Sequence, residues 1–225
     1  MKKSERTKSR LLEVALKVIS QKGFEEATLR GIAKEAGVAP GGIYYYFESK
    51  ESFIYEYYKQ SNKDHVESLG DFFQKEKSFS KRLHFFVTQK IKVANPYKDM
   101  SRALFRVAAD PNSPMSPFSK ESLELRREVL DLLEELLDGS DAKFLPEIRD
   151  VLPEYLWLYM MGLILFWIYD TSEESKRTFE LIDKTIPLIE MANTMIQSPM
   201  ALPFRKNILL ILKSFVPNLG RVSNS

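Results

Sequence analysis

Three tyrosines stand side by side at Tyr44, Tyr45 and Tyr46, with Lys50 close behind and Thr28 and Arg30 a short way ahead. Phenolic hydroxyls, a threonine hydroxyl and two cations are donors suited to phosphate oxygens and base edges, not to bond-breaking chemistry. Successive residues of a helix are about 100° apart, so three in a row cannot all be buried on one side. At least one hydroxyl therefore faces solvent or a partner. Catalytic constellations are missing from the sequence. There is no cysteine, and the two histidines, His65 and His84, are far apart in the chain. No metal-ligand spacing and no nucleophile–base pair emerges, so neither an enzyme nor a cofactor is expected.

The elements that must hold these groups are short and well punctuated. Thr28 is an N-cap, and Leu29, Ile32, Ala33 and Ala36 at i, i+3, i+4 and i+7 form one apolar stripe. Gly37 supplies a left-handed helix stop, with Val38 as the hydrophobic plug behind it. Pro40 and Gly41 open a second short helix, on which Ile43 and Phe47 share the inner face while Tyr44 and Tyr45 point elsewhere. This is the layout of a helix-turn-helix whose second helix enters the DNA major groove. A preceding helix starts at Ser4 or Thr7, buries Leu11, Leu12, Ala15, Leu16 and Ile19, and ends at Gly23. Ser49 caps a fourth helix expected from about Lys50 to Gln74.

Residues 6 to 58 resemble the N-terminal domain of the tetracycline-repressor (TetR) family of bacterial transcriptional regulators. The resemblance rests on the first helix through Gly23-Phe24, the block T-L-R-G-I-A-K-E-A-G-V-A-P-G-G-I-Y-Y-Y-F, and S-K-E-S-F at residues 49–53. It implies an all-α protein: a three-helix DNA-binding domain at 1–58, then a larger helical ligand-binding and dimerisation domain at 59–225. It also implies a homodimeric repressor on a palindromic operator, with half-sites one helical turn apart, and places phosphate contacts on Tyr44, Tyr45 and Lys50. Arg30 is in reach of a base edge or phosphate, and Thr28 can add a hydroxyl contact. Two residues depart from the family pattern. Ala39 cannot cap by its side chain, and Gly42 removes a donor from the groove face. Pro40, Gly41 and Gly42 would instead bring bare backbone close to DNA.

Charge supports a DNA-facing head only modestly. Residues 1–60 carry a net +3 and the remainder a net −1, within a total of +2. The body is expected to be helical at about 79–94, 98–109, 119–137, 144–152, 153–169, 173–196 and 199–216, with a proline-rich loop at 110–117. The apolar run 155–169 must be covered on all sides, and Gly162 permits close helix approach. By resemblance, helices 153–169 and 173–196 are the dimer pair. Residues 155–169 fall short of the roughly twenty needed to span a bilayer, so a cytoplasmic location without membrane partner is expected. Phe85, Phe86, Met100, Phe105, Met115, Phe118, Tyr159 and Phe166 are the candidate lining of a pocket for an apolar or aromatic inducer. The competing reading is a helical lipid or small-molecule carrier with a vestigial head.

Overall fold

The computed structural model describes residues 3–110 and 112–214, which are helical with no strand among them. The helices are α1 Lys3–Lys22, α2 Leu29–Glu35, α3 Lys50–Leu69, α4 Phe72–Lys75, α5 Phe79–Ala94, α6 Lys98–Ala108, α7 Leu123–Asp138, α8 Pro146–Arg149, α9 Leu152–Tyr169, α10 Lys176–Gln197 and α11 Leu202–Ser214. Short 3-10 turns cover Gly42–Tyr45, Asn95–Tyr97, Glu173–Ser175 and Pro199–Ala201. The last two residues of the expected 199–216 helix lie outside the described residues.

Four expected boundaries move, each for a local reason. The helix expected from Lys50 to Gln74 breaks at Gly70, which takes φ +51, and resumes as α4. Glycine enters the left-handed region without the Cβ penalty that other residues meet. Helix at 119–122 is replaced by serine-locked turns, with Ser119 Oγ donating to the Pro114 carbonyl (2.8 Å) and Ser122 Oγ to that of Ser116 (2.8 Å). Serine side chains there offer the backbone an alternative to the helix ladder. The 144–152 helix shrinks to α8, because Pro153 opens α9 in its first turn and the chain re-aims before it. The second helix of the expected pair is only the 3-10 turn Gly42–Tyr45, since two adjacent glycines make a longer helix entropically costly.

The chain divides into two compact units, residues 1–63 with 94–125, and residues 64–93 with those from 126 onward. The first unit has one core, in which Leu11, Ala15, Ile19, Ile32, Ala33, Ile43, Phe47 and Phe53 join Met100, Leu104 and Met115. Helix α1 packs on both α2 and α6. Tyr57 shares a 3.2 Å hydrogen bond with Ser101, and burial pushes its phenol up to about 12.

The second unit buries polar groups as well as apolar ones. The Arg82 guanidinium, 2% exposed, donates to the carbonyls of Glu76 (2.7 Å), Leu136 (2.6 Å), Glu135 (3.2 Å) and Phe73. It thereby adds a donor to carbonyls at the C-terminal ends of α4 and α7, where helical partners run out; among the described residues only that of Glu135 also accepts a backbone amide, from Gly139 (3.2 Å). A Cβ on Gly139 would run into this guanidinium, so a side chain there would have to displace Arg82 from its carbonyls. Asp170 accepts from the Thr178 amide (2.9 Å) and hydroxyl (2.6 Å) and from Ser172. Burial alone would raise its carboxyl, but these hydrogen bonds hold it at about 2. His65 Nε2 donates to the Phe86 carbonyl at 2.9 Å, and burial beside the Lys90 ammonium holds its imidazole down at about 3. Helix α9 has eighteen residues, long and apolar enough by length and composition to cross a membrane; Leu156, Trp157, Met160, Leu163 and Trp167 are buried within this unit.

Candidate nucleic-acid interface

Helix α2 begins as its sequence dictates. Thr28 is extended, and its Oγ1 accepts from the Gly31 amide at 3.1 Å. Gly31 leaves that oxygen unhindered, since a Cβ there would stand only 3.0 Å from it. The helix closes with paired bonds, Gly37 N–H to the Lys34 carbonyl (3.1 Å) and Val38 N–H to that of Ala33 (2.9 Å), and Gly37 takes φ +66. That double closure fixes the exit direction of the chain. Arg30 and Lys34, one turn apart on α2, are both exposed.

The turn that follows is pinned from below. Ile43 is 0% and Phe47 2% exposed, and the Phe47 ring stacks on Phe53 with centroids 4.0 Å apart. With those two anchors inside, Tyr44 and Tyr45 must project outward, and they are 50% and 81% exposed. Tyr46 is half-buried and meets the Tyr45 ring edge-on at 5.0 Å. Pro40 and Gly41 are exposed, and a side chain at Gly41 would meet open space. Gly42 is different. A Cβ there would stand 3.3 Å from Val38 Cγ1, so this glycine lets the turn close onto Val38.

Lys50 is engaged inside the head. Its Nζ donates to the carbonyls of Phe24 (2.8 Å) and Glu25 (3.2 Å) and lies 4.6 Å from the centre of the Phe24 ring. It ties the loop after α1 to the first turn of α3. Ser49 and Ser52 cap that turn reciprocally, each hydroxyl accepting the other's amide at 3.4 Å. Thr28, Arg30, Lys34, Pro40, Gly41, Tyr44 and Tyr45 are thus among the exposed groups of residues 28–50, together with the acids Glu35 and Glu48. Gly31 and Lys34 were not singled out in sequence. Spacing to Thr28 was the signal for the first, and none marked the second.

Residues 11–57 match the tetR family of bacterial regulatory proteins, and residues 82–201 match the tetracyclin repressor-like C-terminal domain. The chain belongs to the TetR family. The fatty acid metabolism regulator protein of Bacillus subtilis is 23% identical over 195 residues, spanning 83% of this chain and 90% of that protein. The TetR transcriptional regulator from Nitrosomonas europaea superposes with a TM-score of 0.64 at 14% identity, over 80% of this chain and 96% of that one. The B. subtilis regulator FadR, solved in complex with stearoyl-CoA, has a TM-score of 0.61 at 18% identity, over 77% and 96%. This protein is a TetR-family transcriptional regulator, and such regulators are not enzymes.

The eight candidate inducer-pocket residues are divided between the two units. Met100, Phe105, Met115 and Phe118 fall in the first, and Phe85, Phe86, Tyr159 and Phe166 in the second. Met100 and Met115 belong to the head core, while Phe118 and Phe166 are 52% and 41% exposed. Phe85 stacks on Phe72 at 4.0 Å, and the Tyr159 hydroxyl bonds to Thr185 at 2.6 Å. A cleft of about 650 Å³ in the second unit is lined by Phe73, Lys77, Arg82, Asp131, Glu134, Glu135, Asp138 and Gly139, none of them among the eight. Its acidic rim and its arginine, spent on helix ends, suit no apolar ligand.

Proposed function

We propose that this TetR-family regulator is a cytoplasmic homodimeric repressor of a palindromic operator, released by a long apolar acyl ligand. The observation that carries the DNA half is the outward pair Tyr44 and Tyr45, held on a turn that Ile43 and Phe47 anchor in the core. Their hydroxyls would bind phosphates on either side of the groove, with Arg30, Thr28 and the backbone of Pro40, Gly41 and Gly42 beside them. Lys50 would serve the interface from behind, holding the α1 loop against α3. Residues 1–58 would form the reading head and 59–225 the regulatory body. Dimerisation would use the segments 153–169 and 173–196. The resemblance to proteins named for fatty acid metabolism, one of them holding stearoyl-CoA, supports an acyl thioester as the inducer class. Its differential affinity for two states would supply about 1–3 kcal/mol of coupling to the head.

The test selects bound fragments from random duplex DNA with the full chain, then measures fluorescence anisotropy on the enriched sequence with and without stearoyl-CoA. The expected result is a two-fold-symmetric sequence bound in a salt-dependent way and released by the thioester. Absence of enrichment would overturn the DNA reading. Enrichment that free stearate, acetyl-CoA and stearoyl-CoA all leave unchanged would overturn the ligand.

A further inference from the structure

The turn that would approach DNA has a cationic neighbour on α1. A terminal nitrogen of the Arg10 guanidinium stands 3.9 Å from the point that a Gly37 Cβ would occupy. It thus lies beside the turn that leads into the exposed residues Ala39, Pro40 and Gly41. We propose that Arg10 is a DNA-backbone contact outside the helix-turn-helix, holding a phosphate against that turn; the inference rests on the DNA-binding reading above.

What the head does with its other cations sets Arg10 apart. Lys8 pairs with Glu56 at 2.7 Å and lies over the Phe47 ring, and Lys50 is spent on the carbonyls of Phe24 and Glu25. Arg10 is exposed, and among the described residues it has neither an ion pair nor a hydrogen bond. Helix α1 packs on α2, and Arg6, Arg10 and Lys17 fall within about 40° of one another around its axis, all exposed. Glu13 is the acid on the same face, and it pairs with none of the three.

The chemistry of the spot selects a phosphate. The turn beside the guanidinium presents backbone and glycine, so the opposing charge must come from a partner. Phosphodiester oxygens accept two parallel N–H bonds from a planar guanidinium, which a single ammonium cannot supply. The bare backbone at Gly41 lets a nucleic-acid strand come close. Arg10 belongs to α1 and not to the turn that carries Tyr44 and Tyr45, so its contact positions the head without reading bases.

The test uses the full chain and the duplex enriched from random DNA, with fluorescence anisotropy at a series of salt concentrations. Arg10→Gln is expected to weaken binding about tenfold, on the enriched and on unrelated duplexes alike. The slope of log affinity against log salt should fall by about 0.9, with the melting temperature unmoved. Single methylphosphonates walked along the operator then locate the partner. One phosphate whose neutralisation costs the native chain about tenfold should cost Arg10→Gln nothing. Unchanged affinity and slope in Arg10→Gln, or methylphosphonate losses that add in full, would overturn the contact while leaving DNA binding through Tyr44 and Tyr45 standing. Loss of folded structure, or a lowered melting temperature at an unchanged slope, would make Arg10 a brace of the turn and overturn the contact as well. A native chain that binds no duplex in a salt-dependent way would overturn both readings.

Discussion

The reading head and the second unit, here the body, solve opposite problems with the same kind of element. The turn at residues 39–47 buries its apolar anchors Ile43 and Phe47 and exposes hydroxyls and backbone. The body buries Arg82, His65 and Asp170 and exposes Leu188, Met191, Met195, Phe204 and Ile211. Polar groups facing outward cost little and are free to meet a polyanion. Polar groups facing inward persist only when every donor finds an acceptor, and apolar groups facing outward invite a cover. The contrast teaches that exposure carries the chemistry in the head, whereas in the body the pairing of buried groups holds helix ends together.

Breaking the body's pairing should have the largest effect. Arg82→Met removes the donor to four carbonyls and is expected to cost about 4 kcal/mol in urea unfolding, because among the described residues only the Glu135 carbonyl keeps another donor, the Gly139 amide. A loss below about 1 kcal/mol would refute the inverted arrangement of the body. Next comes pH. The His65 imidazole titrates at about 3 in the folded chain and near its ordinary 6.5 when unfolded. Below pH 6.5 the unfolded state therefore binds the proton that the folded state refuses, so this contribution is present above 6.5 and is lost as pH falls toward 3. The slope is at most about 1.4 kcal/mol per pH unit, and about 3 kcal/mol accumulates by pH 4. His65→Leu should flatten that limb of the urea-midpoint profile, while the limb set by Asp170 lies lower, at about 2 to 4.

In the head, changes should separate binding from folding. Replacing Tyr44 and Tyr45 together by alanine is expected to weaken operator binding about 100-fold, roughly two charge-assisted hydrogen bonds, with the melting temperature unmoved. Lys50→Ala should do the reverse, lowering stability first, because its Nζ holds Phe24 and Glu25. The smallest effect sharpens the comparison at one atom. Thr28→Ala should cost about 1 kcal/mol in thermal unfolding. Gly31→Ala should stabilise only in that background, where no hydroxyl stands 3.0 Å from the new Cβ, giving a coupled double-mutant cycle.

What could be read from the chain beforehand follows the range of the interactions. Thr28, Gly37 and Val38 were legible because a cap and a left-handed stop are contacts over three to five residues. The outward tyrosines followed from helical periodicity alone. The 3-10 form of the Gly42–Tyr45 turn was only half legible, since Gly41 and Gly42 weaken a helix there without saying which short form replaces it. The bonds of Lys50 to Phe24 and Glu25 were not legible, because those carbonyls lie twenty-six and twenty-five residues away in sequence. Arg82 gave no signal at all: its acceptors at Glu135 and Leu136 lie more than fifty residues on. The candidate pocket residues were picked for apolarity, which cannot distinguish the Met100 and Met115 that complete the head core from groups that meet a ligand.

That shared core has a consequence for how the protein is made. The residues that would touch DNA are all synthesised by position 50, yet the apolar cluster beneath them also draws on Met100, Leu104 and Met115. A nascent chain that has emerged only through α3 holds every letter of its reading surface on an open foundation. The surface becomes a dependable shape only after α6 and the loop behind it have left the ribosome. Competence to read DNA is thereby delayed until Met115 has emerged, sixty-five residues after the last letter of the surface itself.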